Sequence, residues 1–377
     1  MSLQHIPFYD GIASRCAFVG TTMRNVMKRN ATKKPEAFLR ISQLHDRYMY
    51  LLAEFFVQAG YYVYIAAPIK IEDYYKRDAY AAYVGMSKNM KYTKYLVKTD
   101  RPKALLCSDS AVDGRTASMF EMSIFLNYDV DIPPGTRDGA LVLPYPMHPN
   151  VYRTGQVAMI PELRRLPKCV GVFFAGNIKP EYASESKLLR HYVSRPAAVE
   201  SVLRRFGRRV RLFSRREALL RALAEEDLGS SIVVFDATTE RLGREEWFPV
   251  LARSRFFLAL PGVVMPMCHN CVEAMALGVV PILGYGQLFS PPLESGAVCL
   301  EYVSEAELAA AIETALAMDA TTYARMRRRS LDHYDRYMVP SAFLRGLSHA
   351  RGRTVELRFA AEGVSEKVAR TTATAWA

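Results

Sequence analysis

No Gly-x-Gly-x-x-Gly follows any strand-like run in these 377 residues, which argues against a Rossmann oxidoreductase and its dinucleotide fingerprint. No run approaches the ~20 apolar residues of a membrane-spanning helix. The first residues also lack the basic-then-apolar pattern of a secretory signal. The expectation is a cytoplasmic protein, free to touch an anionic membrane from outside. Cysteine is sparse: the six (16, 107, 169, 268, 271, 299) are scattered through apolar surroundings and read as reduced core thiols rather than a disulfide framework. Cys268-His-Asn-Cys271 has no second Cys/His pair at metal spacing, so no metal site is expected there.

What is abundant is positive charge. The formal net charge is +12, and the basic residues cluster: Lys28-Arg29, Lys33-Lys34, Arg204-Arg205, Arg208-Arg209 and Arg325-Met-Arg-Arg-Arg329. Such a balance suits anionic ligands, an anionic membrane surface or a nucleic acid, and does not choose among them. At 50% hydrophobic composition the chain is long enough for two domain cores.

The informative stretch runs from 254 to 283. Phe256 to Leu260 is a short apolar run ending at Pro261-Gly262, as a strand buried on both faces would be. Val279 to Leu283 is a second. The segment between has the length of a crossover helix, with Pro266 suited to its first position and Gly278 to its C-terminal cap. The whole reads as a βαβ unit of a parallel sheet. On that helix Cys268, Cys271, Val272 and Met275 share an apolar face, while His269, Asn270 and Glu273 gather opposite. Three clustered polar groups between buried strands need partners. A helix N-terminus at the carboxyl end of a parallel strand is where phosphates bind, so the polar face is expected to look into a ligand cleft. The plainer reading is a solvated helix face.

Ser254-Arg-Phe-Phe-Leu-Ala-Leu-Pro-Gly262 and Glu273-Ala-Met-Ala-Leu-Gly-Val-Val-Pro-Ile-Leu283 resemble the nucleotide-sugar signature of GT-B glycosyltransferases, and among them the exostosin-like family. The likeness covers about 240–320 well and 123–180 loosely. It implies two Rossmann-like domains facing each other across a cleft, with a C-terminal helix crossing back. It also implies a nucleotide diphosphate sugar as donor, no cofactor and no bound metal, and carries the family's ribose-binding glutamate to Glu273. The sequence departs from the family at Asn270, where a basic residue is usual.

Elsewhere the pattern alternates regularly. Glu36 to Gly60 reads as one amphipathic helix, Tyr61 to Ala67 as a strand, and the tyrosines and lysines of 70–103 as half-buried helix positions or a stacking groove. Lys103 to Asp109 reads as a strand with a carboxylate at its end, where a transferase would place a base. Asp109, Asp113 and Glu121 are the candidates, with Asp109 leading, although Asp at such a position more often caps a helix. Ser123–Tyr128 and Ala140–Pro144 are further strands. His148, held between prolines, is a second catalytic candidate, equally readable as a structural loop residue. Cys169 to Asn177 opens a second α/β unit, and the resemblance places this loop, with Gly176, Asn177 and Lys179, over a donor diphosphate; the helix-face reading adds Gly262, His269 and Asn270 to Glu273 as the expected donor site.

The expected domains are an acceptor-side domain over 1–160 and a nucleotide-sugar-binding domain over 161–320. Helices over 321–358 should pack back on the first, and a tail occupies 359–377. The expected activity is a metal-independent transfer from a nucleotide sugar to a glycan or polysaccharide, without nucleic acid as partner. The alternative is a non-enzymatic, basic nucleic-acid-binding protein.

Overall fold

The computed structural model describes residues 34–44, 46–67, 80–93, 104–128, 141–180, 189–349, 354–362 and 364–365. Readings that fall on 1–33, on most of 70–103, on Pro133-Pro-Gly135 and on the tail beyond 365 lie outside them. Two compact units emerge. One takes the chain up to Tyr128 together with 141–143 and 343–364, and the other takes 144–342. The boundary therefore falls at 143/144 rather than near 160.

The first unit is built on β1 (Glu36–Arg40), β2 (Tyr62–Ala66), β3 (Met90–Tyr92), β4 (Ala104–Ser108), β5 (Met122–Asn127) and β6 (Leu141–Val142). Its seven-stranded sheet has the order β3-β2-β1-β4-β5, then the Thr354–Arg358 strand, then β6, with every pairing parallel. Two expectations fail here. Glu36–Arg40 is not the start of a helix but an interior strand between β2 and β4, with Ala37, Phe38 and Leu39 at 2% exposure or less. A strand buried on both faces reads as a continuous apolar run, and over the three residues Ala37-Phe38-Leu39 such a run cannot be told from one face of a helix. The helix begins only at Asp46 and runs to Gln58. The C-terminal segment was expected to be helical to 358, but its last residues are a strand whose Val355 and Leu357 are buried.

Phe38, Leu106 and Phe120 form the core on one face of this sheet. The Asp46–Gln58 helix buries Leu51, Leu52, Phe55 and Phe56 completely, and Phe56 meets the ring of Phe343 at 5.3 Å. Chain order reverses between β1 and β4, so the carboxyl ends of those two strands mark the switch point.

The second unit carries β7 (Val170–Gly176), β8 (Val210–Phe213), β9 (Leu228–Asp236), β10 (Ser254–Leu258), β11 (Val280–Leu283) and β12 (Leu300–Glu301). Their order is β12-β11-β10-β7-β9-β8, again all parallel. The alternation read from the sequence is present here nearly element for element. Val172, Phe174, Ile232, Val234, Phe256, Leu258 and Ile282 form the spine of the core. The crossover helix starts at His269 with Cys268 as N-cap, so Pro266 belongs to the loop. Gly278 ends it at φ 66°, a left-handed conformation that glycine adopts without strain. Ser304 caps the Glu305–Ala317 helix through the Glu307 amide at 3.2 Å. The Ala320–His333 helix also belongs to this unit, and only from Phe343 does the chain return to the first.

Candidate functional site

In the second sheet the order reverses between β7 and β10. Open parallel sheets bind ligands at such a reversal, because loops after the two strands part there and helix N-termini point into the gap. Gly176 at the end of β7 and Asn177 and Ile178 after it are half-buried, and Lys179 is exposed. Asn177 Oδ1 accepts from the Lys179 amide at 2.9 Å and from Thr238 Oγ1 at 3.1 Å, which fixes the turn and ties it to the loop after β9. After β10 the chain folds tightly: the Gly262 amide donates to Met265 O at 3.1 Å, and a Cβ on Gly262 would lie 2.6 Å from that oxygen. Asn270, in the first helical turn, is half-buried.

His269 and Glu273 do not look into an open cleft. They are 6% and 1% exposed. Glu273 Oε2 accepts from the Trp247 indole at 2.6 Å, and Oε1 accepts from the His148 amide at 2.9 Å. His269 Nδ1 lies 2.6 Å from Pro146 O, and its ring stacks on Tyr145 at 5.2 Å. The two buried members of the polar face, His269 and Glu273, therefore have partners. They come from the Pro144–Pro149 segment and from Trp247, not from solvent or an empty crevice. Helical spacing located the face; nothing local in sequence names a partner 125 residues away.

The two catalytic candidates are likewise engaged. Asp109 is 4% exposed. It accepts from the Ser42 amide and hydroxyl at 2.9 and 2.8 Å, from the Gln43 amide at 2.7 Å and from the Tyr128 hydroxyl at 3.2 Å. A carboxylate whose lone pairs are taken in this way ties the loop after β1 to the end of β4 and has little left for a substrate proton. Asp113 caps the Gly114–Ala117 turn through Thr116, whose amide and hydroxyl hold its carboxyl below the usual range. His148 caps the Pro149–Arg153 turn: its Nδ1 accepts from the Asn150 amide at 3.2 Å.

Arg195 carried no weight in the sequence, although Ser194-Arg-Pro196 is a legible helix start. It opens the Arg195–Phe206 helix at 9% exposure, and its Nη1 donates to Asn177 O at 3.3 Å. Its charge also reaches the loops after β10 and β12. Burial pushes the Cys268 thiol and the Tyr302 hydroxyl up, and Arg195 pulls both part of the way back. Cys268 Sγ sits 3.1 Å from the Tyr285 hydroxyl. At the opposite end of the crossover helix, Lys168 Nζ reaches Leu277 O at 3.2 Å, and burial with the nearby Arg327 brings its pKa down to about 7.

Among the described residues no cluster of three or more His, Cys, Asp or Glu is placed to hold a metal, and no helix is long and apolar enough to cross a membrane. The sequence does hold one Asp-x-Asp, Asp129-Val130-Asp131, which lies outside the described residues.

No family model matches the chain, and no curated protein does. Solved structures give loose superpositions. A glycosyltransferase from Rickettsia africae ESF-5 aligns over 84% of this chain and 97% of its own, at 8% identity and TM-score 0.44. HepE from Anabaena, solved in complex with UDP, aligns over 83% and 98%, at 8% identity and TM-score 0.44. The N-terminal domain of a Candida albicans trehalose-6-phosphate phosphatase aligns over 85% and 99%, at 10% identity and TM-score 0.44. Superpositions this loose, at identities this low, establish neither a family nor an activity.

Proposed function

We propose that the chain is a glycosyltransferase that moves a sugar from a nucleotide diphosphate sugar to a glycan or polysaccharide acceptor, with the donor held by the second unit. The observation that supports this reading most is the convergence at the β7/β10 reversal. Half-buried Gly176, Asn177, Gly262 and Asn270 lie there with the starts of two helices, one of which carries the buried Arg195. Helix N-termini and a guanidinium stabilise the charge that grows on a diphosphate as its bond to the sugar breaks. Arg195 and exposed Lys179 supply the cations that Asn270 does not. The acceptor oxygen forms the new bond to the sugar and loses its proton to a base outside the residues assigned so far. The motif likeness over 254–283 supports the same chemistry, and the exostosin-like affinity rests on the sequence likeness over about 240–320 and, more loosely, 123–180.

The test is a thermal shift with a panel of nucleotides. UDP or GDP at ~100 times its dissociation constant should add about 2.7 kcal/mol of stability, and NAD(P) should add none. No shift with any nucleotide, together with tight salt-dependent RNA or DNA binding, would replace this reading with the nucleic-acid one.

A further inference from the structure

At the amino-terminal end of the second sheet, away from the β7/β10 reversal at its carboxyl end, Arg208, Arg209, Ser230, Ser231 and Glu313 line a cavity of about 370 Å³. Ligand pockets run from about 300 to 1,000 Å³, so the space suits a small molecule. Three elements meet there. The Gly207–Arg209 turn leads into β8, Ser230 and Ser231 lie in the first half of β9, and Glu313 is in the second half of the Glu305–Ala317 helix.

β9 is irregular at this point. Val170 pairs with Leu228 and Val172 with Ile232, so two steps along β7 meet four along β9. The surplus falls on Gly229, Ser230 and Ser231, and a bulge of this kind re-aims the side chains it carries. Asp227 Oδ1 accepts from the Gly229 amide at 2.9 Å. Gly171 of β7 makes room for the bulge: a Cβ there would lie 2.6 Å from Gly229 O and 2.9 Å from Leu316 Cδ2.

The charges on the cavity wall differ from their neighbours. Basic residues on either side are matched, Arg204 to Glu305 at 3.5 Å and Arg211 to Glu226. Among the described residues Arg208, Arg209 and Glu313 form no ion pair, although they line one cavity. Two guanidiniums suit the oxygens of one phosphate or carboxylate. An ionised Glu313 only accepts, so it suits neighbouring hydroxyls and repels a second anionic group. None of the described residues lining the space is aromatic, which leaves a nucleobase nothing to stack on.

We propose that this cavity is a second ligand site, for a saccharide that carries one anionic group: Arg208 and Arg209 hold the phosphate or carboxylate, and Glu313 accepts from the ring hydroxyls. The site does not depend on the donor reading above.

Glucose 6-phosphate, glucuronate, glucose and inorganic phosphate are titrated calorimetrically against wild type, R208A/R209A, E313A and K179A. All four substituted positions are exposed, so the variants should melt as the wild type does. Wild type should bind at least one of the two anionic sugars roughly tenfold more tightly than glucose or inorganic phosphate, and the tighter sugar identifies the anionic group. R208A/R209A should weaken that binding at least roughly tenfold. E313A should weaken the sugar by a similar factor and leave inorganic phosphate no weaker, because only the sugar offers hydroxyls. K179A, altered at the other end of the sheet, should bind the sugar as wild type does. The proposal is overturned if wild type binds neither anionic sugar, or if R208A/R209A binds them unchanged. It is overturned if inorganic phosphate binds as tightly as the sugars, which is the behaviour of a surface anion contact only. Loss of the sugar in K179A overturns it too, since that puts the ligand at the β7/β10 reversal.

Discussion

Each sheet keeps one buried carboxylate near its switch point, and the two are used differently. Asp109 is held by its own sheet's loops: the turn after β1 and Tyr128 just after β5. Glu273 is held by Trp247 and by a segment that belongs to no strand of its sheet. The first carboxylate closes a loop, while the second recruits a piece of chain and sets it beside a helix start. The location of a carboxylate at a strand end is therefore a poor guide to its task; the origin of its donors is a better one.

The comparison breaks or sharpens under four changes. The largest effect is expected of Glu273→Ala, which leaves a buried indole N–H and the His148 amide without their acceptor and should cost about 2–5 kcal/mol in denaturant unfolding. If stability is unchanged, the polar face is solvated after all. Asp109→Asn comes next. One carboxamide oxygen cannot serve two amides and two hydroxyls, so about 1.5–3 kcal/mol should be lost. A variant that melts like wild type yet fails to transfer sugar would return Asp109 to the role of base.

The third change is pH, which probes the far end of the helix that carries Glu273. Lys168 has a folded pKa of about 7, below its unfolded value of 10.5. The unfolded state therefore binds more protons above pH 7, and stability should rise as pH climbs from 7 towards 10. Relative to Lys168→Met, about 1–2 kcal/mol should be gained between pH 7 and pH 9. A flat difference would place the ammonium in contact with water. The smallest effect is expected of chelation: transfer should survive excess EDTA, since Arg195 and Lys179 supply charge at the donor end. Loss restored by manganese would direct attention to Asp129 and Asp131.

How much of this was legible depends on distance along the chain. β7 to β12 and the helix between β10 and β11 follow from local spacing, Gly278 and Ser304, because periodicity and caps act within one or two turns. β1 was misread because its three apolar residues, Ala37, Phe38 and Leu39, are too short a run to tell one period from the other. The Thr354–Arg358 strand was misread because it follows a long basic helical stretch and carries its pattern on only two buried residues. For the site, His269, Asn270 and Glu273 were correctly grouped on one face, yet the donors to Glu273 lie 26 and 125 residues away, and Ser42 lies 67 residues from Asp109. No spacing rule reaches that far.

The Thr354–Arg358 strand sits inside the first sheet, between β5 and β6, and among the described residues β6 pairs with it alone. A ribosome therefore releases every residue of 144–342 before it releases the strand that the amino-terminal sheet is waiting for. The order of synthesis and the order of completion run opposite ways: the second unit can close while the first still has an open edge at β5. Until residue 358 emerges, that exposed edge is where a holding chaperone or a stray strand from another chain would dock.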